Sequence, residues 1–213
     1  ELLILKVTSS AVYAKGLSLI KPSDERISSA CPIFGKCGGC DLMHMSYKEE
    51  LRFKLDRVNE LIRRVAGLPF HIEEILGADD GETLRYRNKA IFAVGQDERG
   101  KAVTGFFRER SHRIIPAEDC LIQTELSVRC AAALRRFMDK TGTTAYDEIT
   151  GKGQIRSIFI RSSKRAPQSV ACVVSARGLH ENTQELINFL RGDCPELTGI
   201  VLCINKSKGN TVL

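Results

Sequence analysis

The sequence has no stretch of about 18 apolar residues, so it offers no helix that could cross a bilayer. It has no G-x-G-x-x-G turn of the kind that cradles a dinucleotide or a related cofactor. It has no internal repeat and no low-complexity segment, and nothing at its start resembles a secretory leader. Its charge is close to balanced: 32 Lys and Arg against 26 Asp and Glu leave a formal +6, too mild to name a partner. What it does have is a 213-residue chain, 43% hydrophobic and 27% charged, enough for one large domain or two small ones with a real core.

It also has eight cysteines. Without a leader the expected compartment is the reducing cytoplasm, where disulfides are rare and clustered cysteines bind metal or do redox chemistry. Cys31, Cys37 and Cys40 stand in "CPIFGKCGGC" with the spacing C-x5-C-x2-C. Three thiolates brought together repel unless a cation neutralises them. Gly38 and Gly39 are expected to make the sharp turn that faces Cys37 and Cys40 inward and to free backbone N–H groups toward sulfur, while Pro32 stiffens the entry.

Tetrahedral zinc and an iron–sulfur cluster both take four thiolates. A zinc ribbon wants a second close pair, and this chain has none. Three clustered cysteines and one distant partner suit a cubane better. Among the other five, Cys172 and Cys203 fall mid-strand and read as small buried hydrophobes, as does Cys130 in a helical stretch. Cys194 precedes a proline in a loop and is a weak candidate. Cys120 ends "SHRIIPAEDC", between a strand and a helix, and suits a ligand best.

Along the chain, residues 1–7 and 12–20 read as two strands with Ser9 and Ser10 at the turn, followed by the polar linker "KPSDERISSA". The clearest element is "SYKEELRFKLDRVNELIRRVAGLP". Ser46 and Glu49 suggest a capping box, Tyr47, Leu51, Leu55, Val58, Leu61, Ile62 and Val65 recur at helical spacing, and Gly67 and Pro69 stop the helix. Then come the strands "RNKAIFAV", "AVTGFFRE" and "HRIIP", a helix over 123–139, the strands "QIRSIFIR" and "SVACVVSA", a helix near 181–191, and the strand "TGIVLCIN". The fold class is α+β: a mixed α/β central domain carrying a metal-cluster loop.

Positive charge is concentrated. Residues 85–113 hold eight Lys or Arg against three acids, and residues 151–165 hold five against none. Beside the aromatics Tyr86, Phe106 and Phe107 this suits a phosphate backbone and unstacked bases. Strand alternation is expected to turn one of the two phenylalanines into the core. From charge and position, Arg85, Arg87, Lys89, Arg108, Arg110 and His112 are candidate RNA contacts.

The blocks "CPIFGKCGGCDLMHMSYKEEL", "YRNKA" and "GFFRERSHRIIPAEDCLIQ", in this order, resemble the RNA (uracil-5-)-methyltransferase family, most closely its iron–sulfur branch acting on 23S rRNA. The resemblance runs over most of residues 1–205. It implies that Cys31, Cys37, Cys40 and Cys120 hold a [4Fe-4S] cluster. It also implies that residues 1–25 are the last two strands of a small OB-like RNA-binding β-barrel and that 26–213 form the central iron–sulfur and RNA-recognition domain. By the same resemblance, a methyltransferase domain that binds S-adenosylmethionine and supplies the catalytic residues is expected beyond Leu213. No catalytic residue is assigned within this chain.

Four further expectations follow. The chain is a fragment, cut at both ends, that methylates nothing alone. Helix 46–66 packs on the missing domain, so here it is exposed, displaced or covered by self-association with a second copy. The cluster is structural rather than redox-active, since four cysteines leave no open iron. The partner is ribosomal RNA, with no membrane involved. The competing reading is a free-standing metal-stabilised RNA-binding module without enzyme activity, and a third is an electron-transfer protein.

Overall fold

The computed structural model describes residues 1–79 and 81–207; the apolar end "GNTVL" lies outside the described residues. The chain divides into two units. One comprises Glu1–Ala30 with Leu42–Ile75, and the other Cys31–Asp41 with the chain from Leu76 onward. Residues 26–30 stay with the first unit because they pair back on 43–45: Arg26 bridges Met45, and the Ile27 N–H donates to the His44 carbonyl at 3.0 Å.

In the first unit, β1 (Leu2–Val7) and β2 (Val12–Gly16) form an antiparallel two-stranded sheet. Every residue of both strands is exposed. Helix α1 (Tyr47–Leu61) begins where the Ser46 side chain accepts from the Glu49 N–H. Glu49 is paired with Arg52. Glu50–Lys54 and Glu60–Arg64 ion pairs line the wet face at i, i+4 spacing. A wider π-type turn over Ile62–Ala66 ends at Gly67, whose φ of 64° is left-handed. No residue of α1 is buried, and Phe53, Val58 and Leu61 are exposed.

The second unit is a six-stranded sheet in the order β5-β4-β3-β6-β7-β8. Its strands are β3 (Lys89–Gln96), β4 (Ala102–Phe107), β5 (Ile114–Pro116), β6 (Ile155–Ser162), β7 (Ser169–Ser175) and β8 (Gly199–Ile204). All neighbours are antiparallel except β7 and β8, which the intervening helix α3 (Thr183–Asp193) makes parallel. Helix α2 (Glu125–Thr141) starts at Thr124, whose side chain accepts from the Ser127 N–H.

One face of the strands lines the core. Ala90, Phe92 and Val94 of β3, Ile158 and Ile160 of β6, and Ala171 and Val173 of β7 are buried in one core with Leu134, Phe137 and Met138 of α2 and Leu186 and Leu190 of α3. Each large side chain there contributes roughly 1.5–3 kcal/mol of burial. The fold is thus mixed α and β around a sheet, as expected.

Three cysteines behave differently from expectation. Cys194 is wholly buried, its Sγ 3.4 Å from that of Cys130, because the turn after α3 folds inward through Cys194 N–H to Leu190 O and Leu197 N–H to Cys194 O bonds. It is a core residue, as Cys130 was expected to be, not a loop ligand. Cys172 and Cys203 are only half-buried. In β7 its neighbours Ala171 and Val173 face the core, so alternation turns Cys172 to the other face of the sheet.

Candidate functional site

The segment from Cys31 to Cys40 is a run of tight turns. The Phe34 N–H donates to Cys31 O at 3.1 Å, and the N–H groups of Lys36 and Cys37 both donate to Ile33 O at 3.0 Å. The left-handed residue is Gly35, with φ of 76°, and not Gly38 or Gly39 as the sequence suggested. Those two glycines serve close approach instead. A Cβ on Gly38 would sit 3.2 Å from Glu109 N and 3.3 Å from Phe107 O, where the loop docks on the end of β4 through a Gly38 N–H to Phe107 O bond. A Cβ on Gly39 would sit 3.3 Å from Cys37 Sγ, and the Gly39 backbone N–H donates to that sulfur.

Cys120 arrives from the other direction, between β5 and α2. Arg85 holds it there. The Arg85 guanidinium grips Asp119 with two prongs at 2.7 and 2.8 Å and donates to the carbonyls of Cys120 at 2.8 Å and Gln123 at 3.2 Å. Its backbone is left-handed, φ 54°, and its N–H donates to Leu121 O at 2.7 Å. Asp119 in turn accepts from the Cys120 N–H at 2.7 Å. Arg87 joins the two limbs: its N–H donates to Ile122 O at 3.0 Å and its guanidinium reaches Gly39 O at 3.5 Å.

The result is one pocket lined by Cys31, Cys37, Cys40 and Cys120, walled by Phe34, Phe106 and Ile122, with Arg87 at its side. None of the eight cysteines is in a disulfide. Burial is the main cause that pushes the Cys37 and Cys40 thiols above the ordinary range, and the neighbouring cysteines add to it while Arg87 opposes it. A group that must shed its proton to become a ligand therefore needs a cation here. The buried Gln123 leaves its Oε1 without a hydrogen-bond partner at the pocket wall.

Among the described residues no group of three or more His, Cys, Asp or Glu is arranged to hold a single metal ion. Mononuclear zinc, with bonds of about 2.3 Å, would need its sulfurs within about 4 Å of one another. A cubane core is itself several bonds across and holds its thiolates farther apart. The residues present are four cysteines lining one mostly apolar pocket, and a cubane takes four thiolates, one on each iron.

The other candidate residues do not gather at this pocket. Lys89 lies 5.9 Å over the Phe159 ring. Arg108 and Arg110 stand exposed in the turn between β4 and β5, Arg110 against Glu109 at 3.2 Å. His112 is exposed there too, edge-on to Phe107 and 3.6 Å from Glu148. Phe106 turns inward against Phe92 at 4.9 Å while Phe107 stays 46% exposed, as strand alternation requires. Sequence reasoning missed Asp119 and Gln123. An acid directly before the distant cysteine was the available signal for the first; nothing local marked the second.

Arg85 is accordingly a positioning residue for the loop. Arg85→Met should lower the unfolding free energy by about 2 kcal/mol, since it strands Asp119 and two carbonyls at a partly solvated site. Arg85→Lys keeps the charge but not the fork and should recover only part of the loss. Urea unfolding of the two variants checks this.

No family model matches the chain. It is 37% identical over 213 residues to a protein of Clostridium tetani named an uncharacterized RNA methyltransferase, covering 100% of this chain and 46% of that protein. A Clostridium acetobutylicum protein of the same description is 34% identical over 213 residues, covering 99% and 46%. A Listeria monocytogenes protein, again so described, is 35% identical over 209 residues, covering 98% and 45%. The chain thus spans about half the length of the curated relatives it matches. The fold is similar, with a TM-score of 0.69 at 20% identity, to the Pyrococcus abyssi tRNA (uracil-54, C5)-methyltransferase crystallised with S-adenosyl-L-homocysteine, over 100% of this chain and 45% of that one. Over its whole length, the chain is homologous to part of proteins named RNA methyltransferases.

Proposed function

We propose that the chain is the iron–sulfur and RNA-binding part of an S-adenosylmethionine-dependent RNA (uracil-5-)-methyltransferase. The observation that carries this reading is sequence similarity along the entire chain to proteins named RNA methyltransferases, of which it spans 46% in the Clostridium tetani and Clostridium acetobutylicum relatives. The fold likeness to a uracil-5 methyltransferase supports it. S-adenosylmethionine and the catalytic residues belong, in this reading, to the remainder of the protein, and the chain by itself transfers no methyl group.

Cys31, Cys37, Cys40 and Cys120 would hold a [4Fe-4S] cluster, whose iron would supply the positive charge that keeps four half-buried thiolates together. The chain's own residues do the rest. Arg85 and Asp119 fix the Cys120 segment, Gly38 lets the cysteine loop lie on β4, and Arg87 spans the two limbs. The cluster's role in this reading is structural. The substrate is ribosomal RNA, 23S rRNA by the resemblance of the cysteine blocks, and the setting is the cytoplasm. Helix α1 offers Phe53, Val58 and Leu61 to the remainder of the protein, or to a second copy of the isolated chain.

The test uses the full-length protein, purified without air, with S-adenosylmethionine tritiated on its methyl group. Label on uracil carbon 5 in 23S rRNA is the expected result, and the chain alone should transfer none. Label in tRNA instead would replace the substrate and keep the reaction. RNA binding by the full-length protein with no transfer to either RNA would return the chain to a binding module.

A further inference from the structure

The second unit carries another concave feature, away from the cysteines. An open cleft of about 570 Å³ is lined by Tyr86, Asn88, Arg161, Lys164, Arg165 and Gln168, among others, and no lining residue is acidic. Its construction follows from the segment 85–88. Arg85 and Arg87 turn toward the cysteine loop, where their guanidinium groups are engaged. Tyr86 and Asn88 line the cleft instead, and they are exposed where Arg85 and Arg87 are half-buried. Asn88 O accepts from the Ser162 N–H at 2.9 Å, which sets this segment beside the end of β6. The β6–β7 turn that carries Lys164 and Arg165 is held by Ser163, whose Oγ accepts from Arg165 N–H at 3.2 Å and Ala166 N–H at 3.1 Å.

Two features point to an anionic, aromatic occupant. Arg161 stands directly opposite Lys89 across the β3–β6 ladder. Like charges so placed destabilise a sheet unless something of opposite sign lies between or over them. Among the described residues, the ion pair at this group is Glu82 with Lys164, at 3.8 Å. Tyr86 is 47% exposed, a flat ring on the wall of a cationic groove.

We infer that this cleft binds single-stranded RNA, with an unstacked base on Tyr86 and backbone phosphates on Arg161, Lys164 and Arg165. The inference rests on the RNA-binding reading above and moves its contact surface. Of the residues that charge alone singled out, none lines the cleft: Arg85 and Arg87 serve the cysteine pocket, and Lys89 faces Arg161 across the ladder with its ammonium over Phe159. Stacking and phosphate contact make distinct contributions, which the salt dependence separates.

The experiment measures binding of a fluorescein-labelled oligouridylate to the protein by anisotropy across a salt series. Tyr86→Leu should weaken binding about ten- to a hundredfold with an unchanged salt slope. Tyr86→Phe should bind like the unaltered protein. The combined Arg161→Gln, Lys164→Gln and Arg165→Gln variant should lose about 2 from the log–log salt slope, roughly 0.7 for each phosphate released. These side chains are exposed, and matching thermal midpoints will verify folding. If the unaltered protein binds the oligonucleotide and the cleft variants bind it equally well, while Arg108→Gln with Arg110→Gln does not, the cleft inference is wrong and the RNA reading stands. If the unaltered protein binds no RNA at any salt concentration, both fail.

Discussion

Cys120→Ser is expected to abolish iron loading. The anaerobically purified protein should carry about four irons and four sulfides per chain with a broad visible absorbance; the variant should carry almost none. Serine preserves size and removes the soft thiolate, so a loss of colour reports ligation rather than packing. Stability should fall as well. A cluster that joins Cys31 to Cys120 closes a loop of about 90 residues, and by the chain-entropy reasoning that applies to a disulfide this is worth about 3–5 kcal/mol. Urea unfolding of the loaded protein and the variant measures the difference. Full iron and sulfide content in Cys120→Ser would remove Cys120 from the ligand set. Zinc without sulfide in the unaltered protein would replace the cluster by a metal ion on the same thiols.

Gly105→Ala is expected to cost about 3 kcal/mol, lowering the thermal midpoint by roughly 6–12 °C. Gly105 sits in β4 opposite Pro116 of β5, and a Cβ there would lie 2.0 Å from Ile115 O and 2.8 Å from Ile115 C. Both are backbone atoms, so no side-chain rotation relieves the overlap. β5 must move away, and with it the segment that reaches Cys120. Iron loading should therefore fall alongside stability, although the substitution touches no cysteine. The control is Gly192→Ala in α3, where a Cβ meets nothing within 4 Å. It should be neutral or stabilising by up to about 1 kcal/mol. Equal midpoints for Gly105→Ala and the unaltered protein would show that the β4–β5 contact is looser than described.

Much of the fold was readable because it depends on local pattern. The alternation in "KAIFAV" and "IRSIFIRS" puts Ala90, Phe92, Ile158 and Ile160 on one side, and the structure buries those residues. Ser46 and Thr124 open their helices through side-chain oxygens that accept from backbone N–H groups three residues on. Cys194 misled because a proline after it reads as a loop, and a loop reads as surface. Whether a turn folds inward depends on the packing of α2 against α3, which has no local signature. The Arg85 side chain misled in the same way. As a charge in a basic run it reads as a nucleic-acid contact, and only the approach of residues 119–123 engages its donors.

Composition and spacing alone therefore determined that thiols cluster at 31, 37 and 40, that the chain mixes strands with helices, and that positive charge gathers in two stretches. Those are properties of neighbours in the chain, and short-range sterics and periodicity express them directly. Only the tertiary structure decided that Cys120 shares a pocket with the other three, that Arg85 and Arg87 serve that pocket, and that Tyr86 meets Arg161 and Lys164 across a cleft. Each joins residues tens of positions apart. Strand pairing brings such residues together by register, and register is set by the whole sheet.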